Sequence, residues 1–229
     1  MHKKQKIPKQ KNQEYKNGDV FAFEITPKEY GFGRVLLDIY NQAMNPGLID
    51  SQSTLDLGRD DTILVELYSN TGSINELNID NLETLTPSVL TSSVLIKCAD
   101  WKICGHKEVD VEKIDFPEFI TEGGFDNSDF IKGELKVNIP LEIEVAEELE
   151  LYLGDIAAFS IPYIVLMALN RADEIDDYEG DFSRLELKNY DLRYSQKRNE
   201  ILALLPDEYK GSYFEVSKNH GFDLSRFYS

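Results

Sequence analysis

The chain has 229 residues, 41% apolar and 11% aromatic, which excludes disorder by composition and suffices for one large domain or two small ones. Its 42 acidic residues outnumber 24 Lys and Arg, for a net charge of −18. Residues 1–16 carry six lysines against Glu14, so a local +5 leaves −23 for the rest; such a body repels nucleic-acid phosphates and attracts basic partners.

Residues 1–16 are polar, lysine-rich and unpatterned, and predict a flexible leader. They contain no apolar run and no small-residue cleavage site, so no signal peptide is expected. From Gly18 the pattern changes. VFAFEI alternates, with Phe21, Phe23 and Ile25 on one face and Val20, Ala22 and Glu24 on the other. Thr26–Glu29 reads as a turn, and YGFGRVLLDI as a second strand. There Gly31 and Gly33 share a face with Val35 and Leu37, leaving room for aromatic rings from a neighbouring strand.

Ala43–Asp61 is a turn-rich connection around Asn45-Pro46-Gly47. Thr62–Tyr68 reads as a third strand, Asn70–Pro87 as irregular, Val89–Cys98 as a fourth strand and Trp101–Cys104 as a fifth. Asp115-Phe116-Pro117 is extended, because proline disfavours helix at the preceding residue. Gly123–Ser128 is a loop, and Phe130–Ile139 one more strand.

Helical patterns follow. Ala146–Leu153 ends at Gly154, a C-cap. Ser160 is placed to cap a helix reaching about Arg171, with Pro162 in its first turn. Tyr190–Leu205 reads as a helix stopped by Pro206, and Ser212–Ser217 as a returning strand. The 14-residue apolar stretch Ile156–Leu169 is too short to span a bilayer and reads as a buried helix, so no membrane partner is expected. The expected fold is α+β: a leader over 1–16, an antiparallel β-rich part over 17–140 with an SH3-like barrel as one way to close it, and a helical region over 141–229.

The chemical constellations are weak. His2, His106 and His220 stand in no zinc spacing, and Cys98, Cys104 and His106 lack a close cysteine pair and a fourth ligand. The two cysteines form no C-x-x-C pair, which fits the cytoplasm and buried structural thiols. No G-x-S-x-G is present. An unrecognised hydrolase would have to converge His106 or His220 with a thiol, hydroxyl or carboxylate pair. No catalytic residue, metal or cofactor is expected. Gly31-Phe32-Gly33-Arg34 lies inside a strand pattern with no helix N-terminus to receive a phosphate.

Asp173–Asp181 is the densest charge cluster, with Asp173, Glu174, Asp176, Asp177, Glu179 and Asp181 giving six carboxylates in nine residues. As a calcium loop it fails, because Ile175 stands where the first ligand belongs. It reads as a solvated loop or a docking surface for Lys and Arg. Arg34 shares a face with Tyr30 and Phe32, either as an exposed cation beside aromatics or as half of a buried ion pair.

The run Gly18-Asp19-Val20-Phe21-Ala22-Phe23, a turn, then Tyr30-Gly31-Phe32-Gly33-Arg34-Val35-Leu36 resembles the opening of the immunity protein 26 family. Trp101–Phe119, with its Gly105-His106 turn and Phe116-Pro117 pair, is also similar to that family, so the resemblance covers roughly residues 17–120. It implies a non-enzymatic bacterial protein of a polymorphic toxin system that binds and neutralises a cognate protein toxin. A basic toxin fits the acidic body. The acidic cluster and the face of Tyr30, Phe32 and Arg34 are the candidate contacts. The alternative is a regulatory β-barrel module binding a small ligand or a housekeeping protein.

Overall fold

In the computed structural model, which describes residues 12–123, 127–147, 149, 151, 154–176, 178 and 180–229, the alternating run becomes strand β1 (Asp19–Thr26). It pairs antiparallel with β2 (Glu29–Asp38), setting Phe21 opposite Gly33 and Phe23 opposite Gly31. A Cβ on Gly31 would lie 2.7 Å from the Phe23 ring, and one on Gly33 2.5 Å from the Phe21 ring. The glycines therefore make room for the rings, as their spacing predicts.

β3 (Thr62–Gly72), β4 (Thr84–Ser92) and β5 (Lys102–His106) complete an antiparallel sheet of order β4-β3-β2-β1-β5. The sheet is open, which corrects the SH3-like barrel. The physical reason lies in β2, β3 and β4, which bury side chains on both faces and so require cover on both. Val35, Val65 and Val89 enter one core, while Leu36, Leu64 and Leu90 enter another. An irregularity in the β2–β3 pairing between Val35 and Leu37 interrupts the alternation, so Leu37 joins Leu36 in the second core and leaves the face of Gly33.

Elsewhere boundaries move. The fourth strand stops at Ser92, and Val94–Lys97 forms a helical turn, α1, with Ser92 Oγ accepting the Val94 amide. The run 130–139 divides into β7 (Ser128–Lys132) and β8 (Leu135–Ile139) around Gly133, whose φ is +57°. With β6 (Glu118–Glu122) these form a second sheet, β6-β7-β8.

Beyond it come α2 (Ile143–Glu147), α3 (Ile161–Ala168), α4 (Arg198–Ala203) and α5 (Tyr213–Asn219). Pro162 sits in the first turn of α3, but Ser160 makes no side-chain cap. The helix expected over Tyr190–Leu205 is broken, because the Asp191 carboxylate takes the Arg193 amide and starts a separate 3-10 turn at Leu192–Tyr194. The strand expected at Ser212–Ser217 is instead α5, capped by Ser212 Oγ on the Glu215 amide at 3.3 Å.

Residues on both sides of position 140 share each of the three larger cores. α3 lays Ile161, Ile164 and Val165 against Phe21, Phe23 and Trp101. Tyr213, Val216, Leu224 and Phe227 cover the opposite face with Phe116 and Phe119. Leu192, Ile201 and Leu205 pack on the second sheet. Within the stretch read as a leader, Gln13 donates to the Ile96 and Trp101 carbonyls and Tyr15 to Asp38. Among the described residues no helix is long and apolar enough to cross a membrane.

Candidate interaction surface

The two groups of candidate contact residues lie on opposite faces of β2. Phe32 is buried with Val20, Ala22, Tyr68 and Leu82, and Tyr30 is half-buried beside them with Lys102 over its ring at 5.5 Å. Arg34 is half of a largely buried ion pair: Nη2 lies 2.7 Å from Glu66 Oε2, and Nη1 donates to the Glu108 carbonyl. Glu66 also accepts from Tyr68 and Thr84. The Arg34 terminal nitrogens and the Glu66 carboxylate are thus used internally, while Arg34 Nε is buried without a hydrogen-bond partner.

The acidic segment lies on the other side, where α3 covers β1. α3 ends at Ala168, and three residues later Arg171 holds two carboxylates at once. Its Nη1 and Nη2 reach Glu29 on β2 at 2.9 and 2.7 Å, while Nε reaches Glu174 at 2.6 Å. The bonds from Arg171, Thr71 and Thr26 hold the Glu29 carboxyl down at about 2, and Arg171 also lowers that of Glu174. Ile175 is buried in the first core, so the residue that disqualifies a calcium loop anchors the segment instead. Asp173 and Asp176 are exposed, and Asp181 Oδ1 accepts the Ser183 amide, which lowers its carboxyl. Asp177 and Glu179 lie outside the described residues.

An aromatic row accompanies these charges. Tyr163 on α3 meets Tyr178 at 5.3 Å between ring centroids, and Tyr178 meets Phe182 edge-on at 5.6 Å. A Cβ on Gly180 would lie 2.6 Å from the Tyr178 ring, so glycine allows the ring to fold back over its own loop. Phe182 is 41% exposed. Phe159, one helical turn before Tyr163, is 69% exposed, the largest value for a large apolar residue among the described residues. Sequence reasoning missed this row because IAAFSIPYIVLMAL reads as uniformly buried. The i, i+4 spacing of Phe159 and Tyr163 was the available signal.

A concavity of about 220 Å³ opens between β7–β8 and α4–α5. At its base the buried Glu118 accepts from Arg198 at 2.7 and 2.8 Å and lies 3.2 Å from Lys132. Lys132 also pairs with Asp115, which pairs with Arg193, and Arg193 is held by the buried Asp191. Each charge here is answered by an opposite one, so the cluster acts as a clasp between the second sheet and the C-terminal helices.

The thiols and histidines do not converge. Cys104 is pushed up to about 11 by burial, away from thiolate reactivity. His106 Nδ1 lies 3.0 Å from Asp19, and His220 stacks on Tyr209 at 4.2 Å. Among the described residues no group of three His, Cys, Asp or Glu side chains could hold a metal ion.

The two segments that carry the family resemblance are neighbours in space. β5 pairs with β1, and Trp101 stacks on Phe21 with centroids 5.0 Å apart and planes 4° from parallel. No curated protein and no solved structure matches the chain. The sequence profile of the family described as Immunity protein 26 matches residues 16–131. That match takes in the whole five-stranded sheet, the Phe21–Trp101 stack and β6, just over half of the residues, and the chain belongs to the immunity protein 26 family.

Proposed function

We propose that this is a bacterial, cytoplasmic immunity protein that binds the cognate toxin of a polymorphic toxin system and neutralises it by occlusion, without chemistry of its own. Family membership across the main sheet is the observation that carries this reading. Within it, residues 17–140 serve as the scaffold and 141–229 as a C-terminal region packed upon it. The charge of −23 beyond residue 16 supports a basic toxin and disfavours nucleic acid as a partner. The polar groups around His106 and Glu118 are taken up by structural pairs, which supports binding over catalysis. Co-expression with the toxin domain encoded in the adjacent reading frame should restore growth, and the two proteins should co-purify. Continued killing with no complex would sink the reading.

A further inference from the structure

We infer that partner recognition is concentrated on the row Phe159, Tyr163, Tyr178 and Phe182 with its acidic rim, and that this surface takes a basic protein face bearing an apolar side chain. The inference rests on the immunity reading. It goes further in placing recognition outside residues 16–131, in the part of the chain that the family profile does not cover.

Three observations converge here. Phe182 exposes aromatic surface at the end of the Tyr163–Tyr178–Phe182 row, and Phe159, four residues before Tyr163, exposes more; exposed apolar patches rimmed by polar groups mark interaction sites. Aromatic residues at the centre of a patch supply most of the binding energy in protein interfaces. The rim fixes the chemistry of the occupant: among the described residues Asp173, Glu174, Asp176 and Asp181 are all exposed, against one cation over 173–186, Arg184. Asp173 and Asp176 are exposed and engaged in no ion pair among the described residues. A second copy of this chain would bring the same negative rim against itself, so the occupant is a positively charged protein face. The segment is also held before binding, by Ile175 in the core and by Arg171 between Glu29 and Glu174, which lowers the entropic cost of docking.

The test uses the full chain and a catalytically inactivated toxin domain from the adjacent reading frame, followed by surface plasmon resonance and hydrogen exchange. The double variant Phe159→Ala/Phe182→Ala is expected to weaken the complex by about 30-fold or more, mainly through dissociation. Asp173→Lys/Asp176→Lys is expected to slow association by about tenfold at low salt and to flatten its salt dependence. Both variants alter exposed positions, so unchanged thermal melting shows that they fold. Hydrogen-exchange protection on binding should fall within 159–186. Wild-type affinity in both variants, or protection confined to the cleft of β7–β8 and α4–α5, would overturn this inference and leave the immunity reading standing. Self-association abolished by the aromatic variant would also overturn it, in favour of a dimer. If the wild-type chain binds no toxin, the immunity reading falls and this inference with it.

Discussion

Arg171 grips Glu29 with both terminal nitrogens, at 2.9 and 2.7 Å, joining positions 142 residues apart. The same guanidinium holds Glu174, so one side chain couples the opening hairpin of the family scaffold to the acidic segment. The acidic segment is thus tied to the sheet by Arg171, with Ile175 as a second anchor in the core beside it.

Replacing Arg171 with methionine should free the acidic segment without unfolding the protein. The pair is partly exposed, so its contribution to global stability is about 1 kcal/mol or less. Local opening is more sensitive. Amides of 172–182 should exchange at least about tenfold faster, while β1–β3 amides keep their protection. Unchanged exchange in that segment would show that Ile175 alone fixes it.

The same pair sets a pH response. The Glu29 carboxyl is held at about 2, below its ordinary value of 4.5. A lowered carboxylate stabilises the folded state fully above the ordinary value and loses that contribution as pH falls toward the folded one. The tie between β2 and the acidic segment should therefore loosen between pH 4.5 and about 2. Carboxyl titration by NMR should place Glu29 near 2 in the wild type and move it upward in Arg171→Met. A wild-type midpoint at 4.5 would remove the ion pair from solution.

Gly33→Ala should destabilise the protein more than Gly31→Ala. At Gly33 the new methyl meets the Phe21 ring at 2.5 Å and the Glu66 carbonyl oxygen at 2.9 Å, and the backbone oxygen cannot step aside without disturbing the β2–β3 pairing. At Gly31 it meets the Phe23 ring and, at 3.2 Å, the Ile25 side chain. Urea denaturation should give a loss of about 1–3 kcal/mol at Gly33 and less at Gly31. Equal losses would mean that Phe21 yields as readily as Phe23.

These glycines were legible because period-two alternation sets Phe21 and Phe23 against Gly33 and Gly31 once the hairpin closes. Pairing alone could not reveal the irregularity that turns Leu37 to the other core. At Ser212 the signal was present and misread: Ser212 and Glu215 have capping-box spacing, but the Tyr-Phe-Glu-Val run suggested a strand. Arg34 was open between two roles until β3 brought Glu66 beside it. The acidic segment was legible as charge, whereas its aromatic companions come from two stretches that meet only in the fold. The clasp was illegible for the same reason, since Asp115, Glu118, Lys132, Asp191, Arg193 and Arg198 come from three separated segments.

Within that clasp the two ends of one ion pair should differ in cost. Glu118 is buried and serves both Arg198 and Lys132, so Glu118→Leu strips Arg198 of its carboxylate and leaves Lys132 with Asp115 alone. A loss of about 2–4 kcal/mol is expected. Arg198 is one-third exposed, and Glu118 keeps Lys132 when it is removed, so Arg198→Leu should cost about 1–2 kcal/mol. Equal losses by chemical denaturation would show that Lys132 does not support Glu118.

Gly180→Ala separates the recognition surface from stability most cleanly. Its Cβ would lie 2.6 Å from the Tyr178 ring, which is partly buried and packs at the edge of the first core. The protein should lose about 1 kcal/mol or less, because the displaced ring is only partly buried. Tyr178 would leave its position between Tyr163 and Phe182, and the aromatic row would lose its centre. Toxin binding should weaken by about tenfold with the melting temperature lowered by no more than about 4 °C, and Gly180→Ala combined with Tyr178→Ala should be no weaker than Tyr178→Ala alone. Additive losses would mean that Gly180 matters through the backbone of the acidic loop and not through the ring that it accommodates.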